Sequence, residues 1–410
     1  MKKLLLVLLI LSLFINHLNA NEKDLQIIQK DKKEYRLLDK ESIQTRQQSQ
    51  KYDWISPIDL SGNIGRNHSF SDENSRNLNN KNTKSASIGF TQSIYESGGI
   101  GFKMDYADNR FKYEMLSWEN QNSQLIYTIY NTLLDIKKLN LEINQNDYRI
   151  VNKDIELIIK KIQYEAGKTD IIELNNAIMS KNLILKEEIA LKNSLKEKEQ
   201  ELAKYTDLKY DEIEILDFQE TNKEIFLDKN YSILEADAKV EMLNSEYKIK
   251  KSQYLPKLSL SAKASYSSQD EKFNSMINDT NKDDATASGS LILSMPLYDY
   301  TKSSKIQESK IEVLKQKALV NDLKNETAFE YEQIFTKIDT YLKQNETINK
   351  NIKLYEELIG ANQISSEAGM TSKYDLEILE NTKTINEFDI LINKINILQQ
   401  YAKLYFKIKN

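Results

Sequence analysis

The sequence predicts a mainly α protein that carries a small membrane-type β portion and is built as an internal two-fold repeat. Three observations predict it. Glu165-Ala166-Gly167-Lys168-Thr169 returns as Glu367-Ala368-Gly369-Met370-Thr371, 202 residues later, each time between long runs of helical periodicity. Four short stretches alternate between apolar and mostly polar residues, two before each long helical run. The ten glycines and three prolines are few for 410 residues, as expected of long uninterrupted helices.

The first 20 residues read as a secretory signal peptide. Lys2 and Lys3 form its charged start, Leu4 to Ile15 its apolar core, and Ala20 its small last residue. The other reading, an N-terminal membrane anchor, is disfavoured because the apolar run falls short of the ~20 residues a spanning helix needs. Cysteine is absent, which excludes disulfides, a thiolate nucleophile and lipid attachment after the cleavage site. His17 and His68 are the only histidines, so neither a histidine-based active site nor a His-rich metal centre is expected. The formal charge of -5 indicates no basic surface for nucleic acid.

The first repeat is expected over residues 21–206. Asn21 to Asp53 is polar and helical in character, with weak periodicity. A strand at about 57–66 follows, because Ile58, Leu60, Gly62 and Ile64 alternate with Asp59, Ser61, Asn63 and Gly65. Asn67 to Lys84 reads as a polar loop, and a second strand at about 85–94 places Ala86, Ile88 and Phe90 on one face. Gly98 and Gly99 mark the turn into the next helix; a dinucleotide loop would need a βαβ unit, which is missing. From Phe102 to Glu165 nothing breaks the helix. Ile126, Ile129, Leu133 and Ile136, then Val151, Ile155, Ile158 and Ile162, step by three and four as in a coiled coil. At ~1.5 Å per residue this run is roughly 100 Å long. The hairpin tip at 165–169 reverses the chain, and a return helix runs from about Ile171 to Tyr205.

A charged connector is expected over 207–229, and the second repeat over 230–410. Its helix from Asn230 to Tyr254 stops at Pro256, since proline disfavours helix at the preceding residue. Leu258, Leu260, Ala262, Ala264 and Tyr266 then alternate with Lys257, Ser259, Ser261, Lys263 and Ser265, a strand at about 257–267. Ser267 to Asp284 reads as a loop, and a fourth strand at about 286–296 ends at Pro296. A long helix to Glu367, the tip at 367–371 and a return helix complete the copy. Leu60-Ser61 matches Leu260-Ser261, and Ile94-Tyr95-Glu96 matches Leu297-Tyr298-Asp299, at nearly the same offset as the tips.

Strands of about 9–11 residues with one apolar face suit a tilted crossing of a bilayer. Four strands cannot close a barrel, and lipid tolerates no open edge, so strands in a membrane require two or more chains to share one barrel. The alternative is a soluble sheet capping a helical bundle.

Three motifs make the chain resemble the TolC family of outer-membrane efflux proteins: Tyr164-Glu165-Ala166-Gly167 at the first tip, Tyr254-Leu255-Pro256-Lys257-Leu258-Ser259-Leu260 leading into a strand, and Ser294-Met295-Pro296-Leu297-Tyr298-Asp299 leading from strand to helix. The order, duplication and spacing of the motifs carry the resemblance over nearly the whole mature chain. It implies a homotrimer with a twelve-stranded barrel in the outer membrane of a Gram-negative bacterium and a long α-helical barrel in the periplasm. It implies passive conduction for a tripartite efflux pump or type I secretion system, with a periplasmic adaptor (membrane fusion) protein, an inner-membrane pump and outer-membrane lipid as partners. The tips, Tyr164 to Thr169 and Glu367 to Thr371, are the implied adaptor contacts. Asp375 matches the family's first acidic gate position, and Ile378 stands where a second aspartate can occur. Opening is implied to be an iris-like shift of the inner helices. Gln163 and Ser365-Ser366 depart from the family's usual tip residues, which leaves the choice of adaptor open.

A different class, an exported coiled-coil stalk or adhesin without a channel, explains the helices but not the duplicated hairpins. No enzyme, cofactor or metal site is expected, because the carboxylates are spread along helix faces as solvated charge.

Overall fold

The structure, a computed structural model, describes residues 25–69, 79–216, 218, 220–270, 282–367 and 372–409. The expected signal peptide therefore lies outside the described residues. After a 3-10 turn at Leu25–Ile27, the elements are α1 (Lys30–Tyr52), β1 (Asp59–Ser69), β2 (Asn79–Tyr95), α2 (Gly99–Glu165), α3 (Ile171–Leu202), α4 (Lys223–Asp228), α5 (Tyr231–Ser252), β3 (Lys257–Asp270), β4 (Lys282–Ser294), α6 (Lys302–Glu367) and α7 (Lys373–Tyr405). The long helices α2 and α6 have 67 and 66 residues, and the return helices α3 and α7 have 32 and 33.

The chain divides into two compact units. One comprises Glu41–Met115 and Ala236–Val320 and holds the sheet, in the order β1-β2-β3-β4. All three pairings are antiparallel. The strands reach further than their apolar alternation does. β1 extends to Ser69 and β2 begins at Asn79, inside the stretch expected to be loop, and β3 and β4 likewise reach Asp270 and Lys282. The ladder is made by backbone groups, so it continues where side chains are polar on both faces. At the other end β4 stops at Ser294, short of the expected 296, because Pro296 has no N–H to give the ladder.

The second unit comprises the residues up to Lys40, Leu116–Glu235 and Asn321–Asn410. Ile126, Ile129, Leu133 and Ile136 of the expected stripe are buried in it, and so is Ile155. Val151, Ile158 and Ile162 are exposed in the single chain. The stretch 207–229 is more than a charged connector. Ile213, Phe218 and Phe226 are buried, and α4 forms within it, capped by the Asn222 side chain accepting from Ile225 N at 2.9 Å. Phe226 packs with Ile334, Ile338, Leu404 and Ile408. Phe218 meets Phe406 and Tyr130 at ring distances of 5.5 and 5.8 Å. Aromatic residues in a polar sequence anchor the connector, and charge counting conceals them.

Candidate functional site

The register sorts the sheet into two chemically distinct faces. Residues directly opposite each other share a face. Leu60, Ile88, Ala264 and Ala287 form one row across all four strands. The neighbouring row, on the opposite face, is Ser61, Ser87, Ser265 and Thr286. The hydroxyls in it pair: Ser61 with Ser87 at 2.8 Å and Ser265 with Thr286 at 2.8 Å. Two more hydroxyl pairs, Thr91 with Ser261 and Ser93 with Ser259, extend the same face. Charged residues of both signs stand among them, Asp59 and Asp284 with Lys257 and Lys263. The apolar face runs along β3 from Leu258 to Tyr266, about 27 Å at ~3.3 Å per residue, close to the apolar band of membrane barrels.

The strand-to-helix turns repeat one device. Gly98 lies at φ +85, and Phe102 N donates to its carbonyl at 3.0 Å. A side chain at Gly99 would come within 2.8 Å of Ser252 Oγ. Before them, Glu96 pairs with Lys103 at 2.9 Å. Burial pushes the Glu96 carboxyl up, but the Lys103 hydrogen bond and charge outweigh it and leave it below the usual range. At the matching place in the second half, Asp299 accepts from Thr301 N and Oγ1 at 2.8 and 2.7 Å and faces Lys305 at 3.7 Å. Pro256 follows α5, and its carbonyl accepts from Ser97 Oγ at 2.7 Å. Pro296 lies two residues beyond β4.

The first tip is closed by a Schellman turn. Lys168 N donates to the Gln163 carbonyl at 2.8 Å and Gly167 N to the Tyr164 carbonyl at 2.9 Å, with Gly167 at φ +70. Asp170 caps α3 by accepting from Glu173 N at 2.9 Å. Tyr164, Glu165, Ala166, Gly167 and Lys168 are exposed, and Thr169 is half-buried. Of the second tip, Glu367 ends α6, while Ala368, Gly369, Met370 and Thr371 lie outside the described residues. Ser372 caps α7, accepting from Tyr374 N at 3.1 Å. Asp375 is exposed in the first turn, where the helix dipole stabilises a carboxylate whatever else it does. Ile378 is half-buried.

The helix seams in the same unit differ in chemistry. α2 and α3 are joined by ion pairs: Arg149 with Glu187, Lys160 with Glu173 and Lys181 with Asp154. α6 and α7 are joined likewise, by Lys383 with Glu356 and by Lys403 and Lys407 with Glu330. Between α2 and α7 side-chain amides donate to carboxylate and hydroxyl oxygens. Gln145 donates to Asp389 at 2.7 Å, Asn152 to Thr382 at 3.3 Å, and Gln399 to Asp135 at 2.7 Å. Sequence reasoning missed this seam, because Asn and Gln at those positions read as ordinary helix surface.

Among the described residues, no helix is long and apolar enough to cross a membrane, and no group of three or more His, Cys, Asp or Glu is placed to hold a metal ion.

No curated protein sequence matches the chain. The model of the outer membrane efflux protein family matches residues 224–403. The fold is similar to that of the outer membrane protein VceC from Vibrio cholerae, with a TM-score of 0.71 and 12% identity, over 93% of this chain and 94% of that one. It is similar to the Campylobacter jejuni CmeC outer membrane channel, with a TM-score of 0.70 and 12% identity over 92% and 84% of the two chains. It is also similar to the open state of the Neisseria gonorrhoeae MtrE outer membrane channel, with a TM-score of 0.68 and 12% identity over 94% and 87%. The resemblance to the TolC family is thus borne out: residues 224–403 carry an outer membrane efflux protein domain, and the chain has the fold of that family's outer-membrane channels.

Proposed function

We propose that this chain is the outer-membrane channel of a tripartite efflux pump or type I secretion system, conducting substrates passively from a periplasmic adaptor and inner-membrane pump to the exterior. The observation that carries the reading is the two-faced sheet, with a continuous hydroxyl row backed by a continuous apolar row. Water on one side and lipid on the other satisfy both faces, as in a membrane barrel. The four strands leave β1 and β4 as edges, which lipid does not tolerate, so further copies supply the missing pairing. Three copies give a twelve-stranded barrel, β4 of one meeting β1 of the next in a head-to-tail ring. Leu297, Tyr298 and Tyr300 are 90%, 85% and 86% exposed in the single chain, and a neighbouring copy would cover them.

The long helices then line a periplasmic tunnel, and the two halves, 21–206 and 230–410, descend from one duplicated unit. The tips at 165–169 and 367–371 meet the adaptor. An iris-like opening would shift α7 against α2, whose contacts are single side-chain hydrogen bonds and not the interhelix ion pairs of the α2–α3 and α6–α7 seams. Asp375 repels anions at the entrance, with Ile378 behind it.

The test is conductance of the purified full-length protein in planar bilayers, with its mass in detergent. Single-channel currents from a trimer are expected. A monomer without current overturns the channel and leaves the exported stalk. Asp375→Ala is expected to change cation conductance or cation block; an unaltered channel removes Asp375 from the gate.

A further inference from the structure

We propose that the polar face of the sheet holds a recognition site for a small zwitterion, a molecule with an ammonium and a carboxylate close together, as in a free amino acid. This rests on the reading of that face as the lining of a channel, and it names a class of molecule the lining would take up.

The register places Asp59, Gly89, Lys263 and Ser288 in one row across the four strands. Asp59 and Lys263 therefore share a face, with β2 between them and about 10 Å between their backbones at ~4.8 Å per strand. The residue that separates them has no side chain. A Cβ at Gly89 would come within 3.3 Å of Lys263 Cβ and Cγ and 3.0 Å of the Ala262 carbonyl oxygen, so only a bare backbone lets the lysine stem lie over β2. The result is a hollow of about 410 Å³ with Asp59 and Lys263 in its wall. Both charged residues are exposed, and among the described residues neither forms an ion pair. The hydroxyls on either side of the row are already engaged with each other, Ser61 with Ser87 at 2.8 Å and Thr91 with Ser261 at 3.1 Å. The nearest other carboxylate of this face, Asp284, lies four positions along β4 from Ser288, and Lys257 lies six positions along β3 from Lys263.

The couple carries no net charge, so beyond a screening length of ~10 Å it draws in neither cations nor anions. Close in, a lone cation meets Asp59 but is repelled by Lys263, and a lone anion meets Lys263 but is repelled by Asp59. A zwitterion of matching length gains from both at once, its ammonium against the Asp59 carboxylate and its carboxylate against the Lys263 ammonium. The hollow is also of the size of small-molecule sites and larger than a single ion needs.

The experiment is saturation-transfer NMR of the full-length protein in deuterated detergent, with alanine, alaninamide or N-acetylalanine as the probe. Alanine carries both charges, alaninamide only the positive one and N-acetylalanine only the negative one. Alanine is expected to bind about fivefold more tightly than either analogue, the worth of one exposed charge contact. Asp59→Asn and Lys263→Gln are each expected to remove that advantage, and Lys263→Glu to move the preference to alaninamide. Both side chains are exposed, so these changes leave the packing of the sheet intact. Equal binding of the three probes by the native protein, as from a couple closed on itself as an ion pair, overturns the site. An alanine preference that survives Lys263→Glu overturns it as well. Conductance of the same preparations in planar bilayers separates the two readings. Current without an alanine preference refutes the zwitterion site alone, and an alanine preference without current refutes the channel alone.

Discussion

Arg36 and Trp118 exchange hydrogen bonds. Arg36 Nη2 donates to the Trp118 carbonyl at 2.9 Å, and Trp118 Nε1 donates to the Arg36 carbonyl at 2.8 Å. The guanidinium also reaches Asn122 Oδ1 at 2.6 Å and Gln121 Oε1 at 2.9 Å. Burial pulls the Arg36 guanidinium below its ordinary range, against the charge of Asp39. This cluster joins the start of α1 to α2, although the two residues are 82 positions apart. Replacing Arg36 by Ala orphans several buried acceptors and is expected to cost about 2–3 kcal/mol. Proteolysis of the N-terminal helix is the readout. Cleavage no faster than in the native chain refutes the clamp.

Phe226→Ala is expected to be among the most damaging single changes. The ring is fully buried among Ile334, Ile338, Leu404 and Ile408, so its removal leaves a cavity in the core. Loss of such a ring costs about 3–5 kcal/mol. A drop in thermal midpoint larger than for Phe329→Ala, an exposed phenylalanine on α6, is the expected measurement.

Gly167 sits at φ +70 with open space where a Cβ would go, so any cost of substitution is backbone strain alone. Gly167→Val is expected to cost about 1–2 kcal/mol, and Gly167→Asn clearly less, because asparagine tolerates the left-handed region. Amide exchange of Lys168 reports it, since that amide closes the turn. Equal acceleration in both variants contradicts the backbone explanation.

Glu330 links the C-terminal end of α7 to α6 through Lys403 and Lys407. Burial raises its carboxyl, but the two lysines outweigh burial and hold it below the ordinary glutamate range. A depressed carboxyl contributes stability above its unfolded value, near ~4.3, and that contribution disappears as pH falls through the lower folded value. The lysines are partly exposed, so the contribution is on the order of 1 kcal/mol or less. Glu330→Gln is expected to lower stability at neutral pH and to flatten its decline below about pH 4. An unchanged acid profile excludes Glu330 as a contributor.

The strands and long helices were legible in the residues. Leu258 to Tyr266 alternates because a sheet with two chemically different faces must sort every second side chain, and Ile126 to Ile136 steps by three and four because one helix face is buried. The Gly167 turn was legible because the left-handed conformation selects glycine. Each of these signals is local. The α1 anchor was not legible, since Arg36 and Trp118 mean nothing until α1 lies on α2. The same holds for Phe218 and Phe226 in a stretch that reads as charged linker, and for the amide seam of Gln145, Asn152 and Gln399. The residues by themselves determined the elements and the two faces of each strand, because periodicity is a property of one segment. Only the tertiary structure decided the register that aligns Ser61, Ser87, Ser265 and Thr286 into one row, and that sets Asp59 across Gly89 from Lys263, because pairing joins segments the sequence holds far apart.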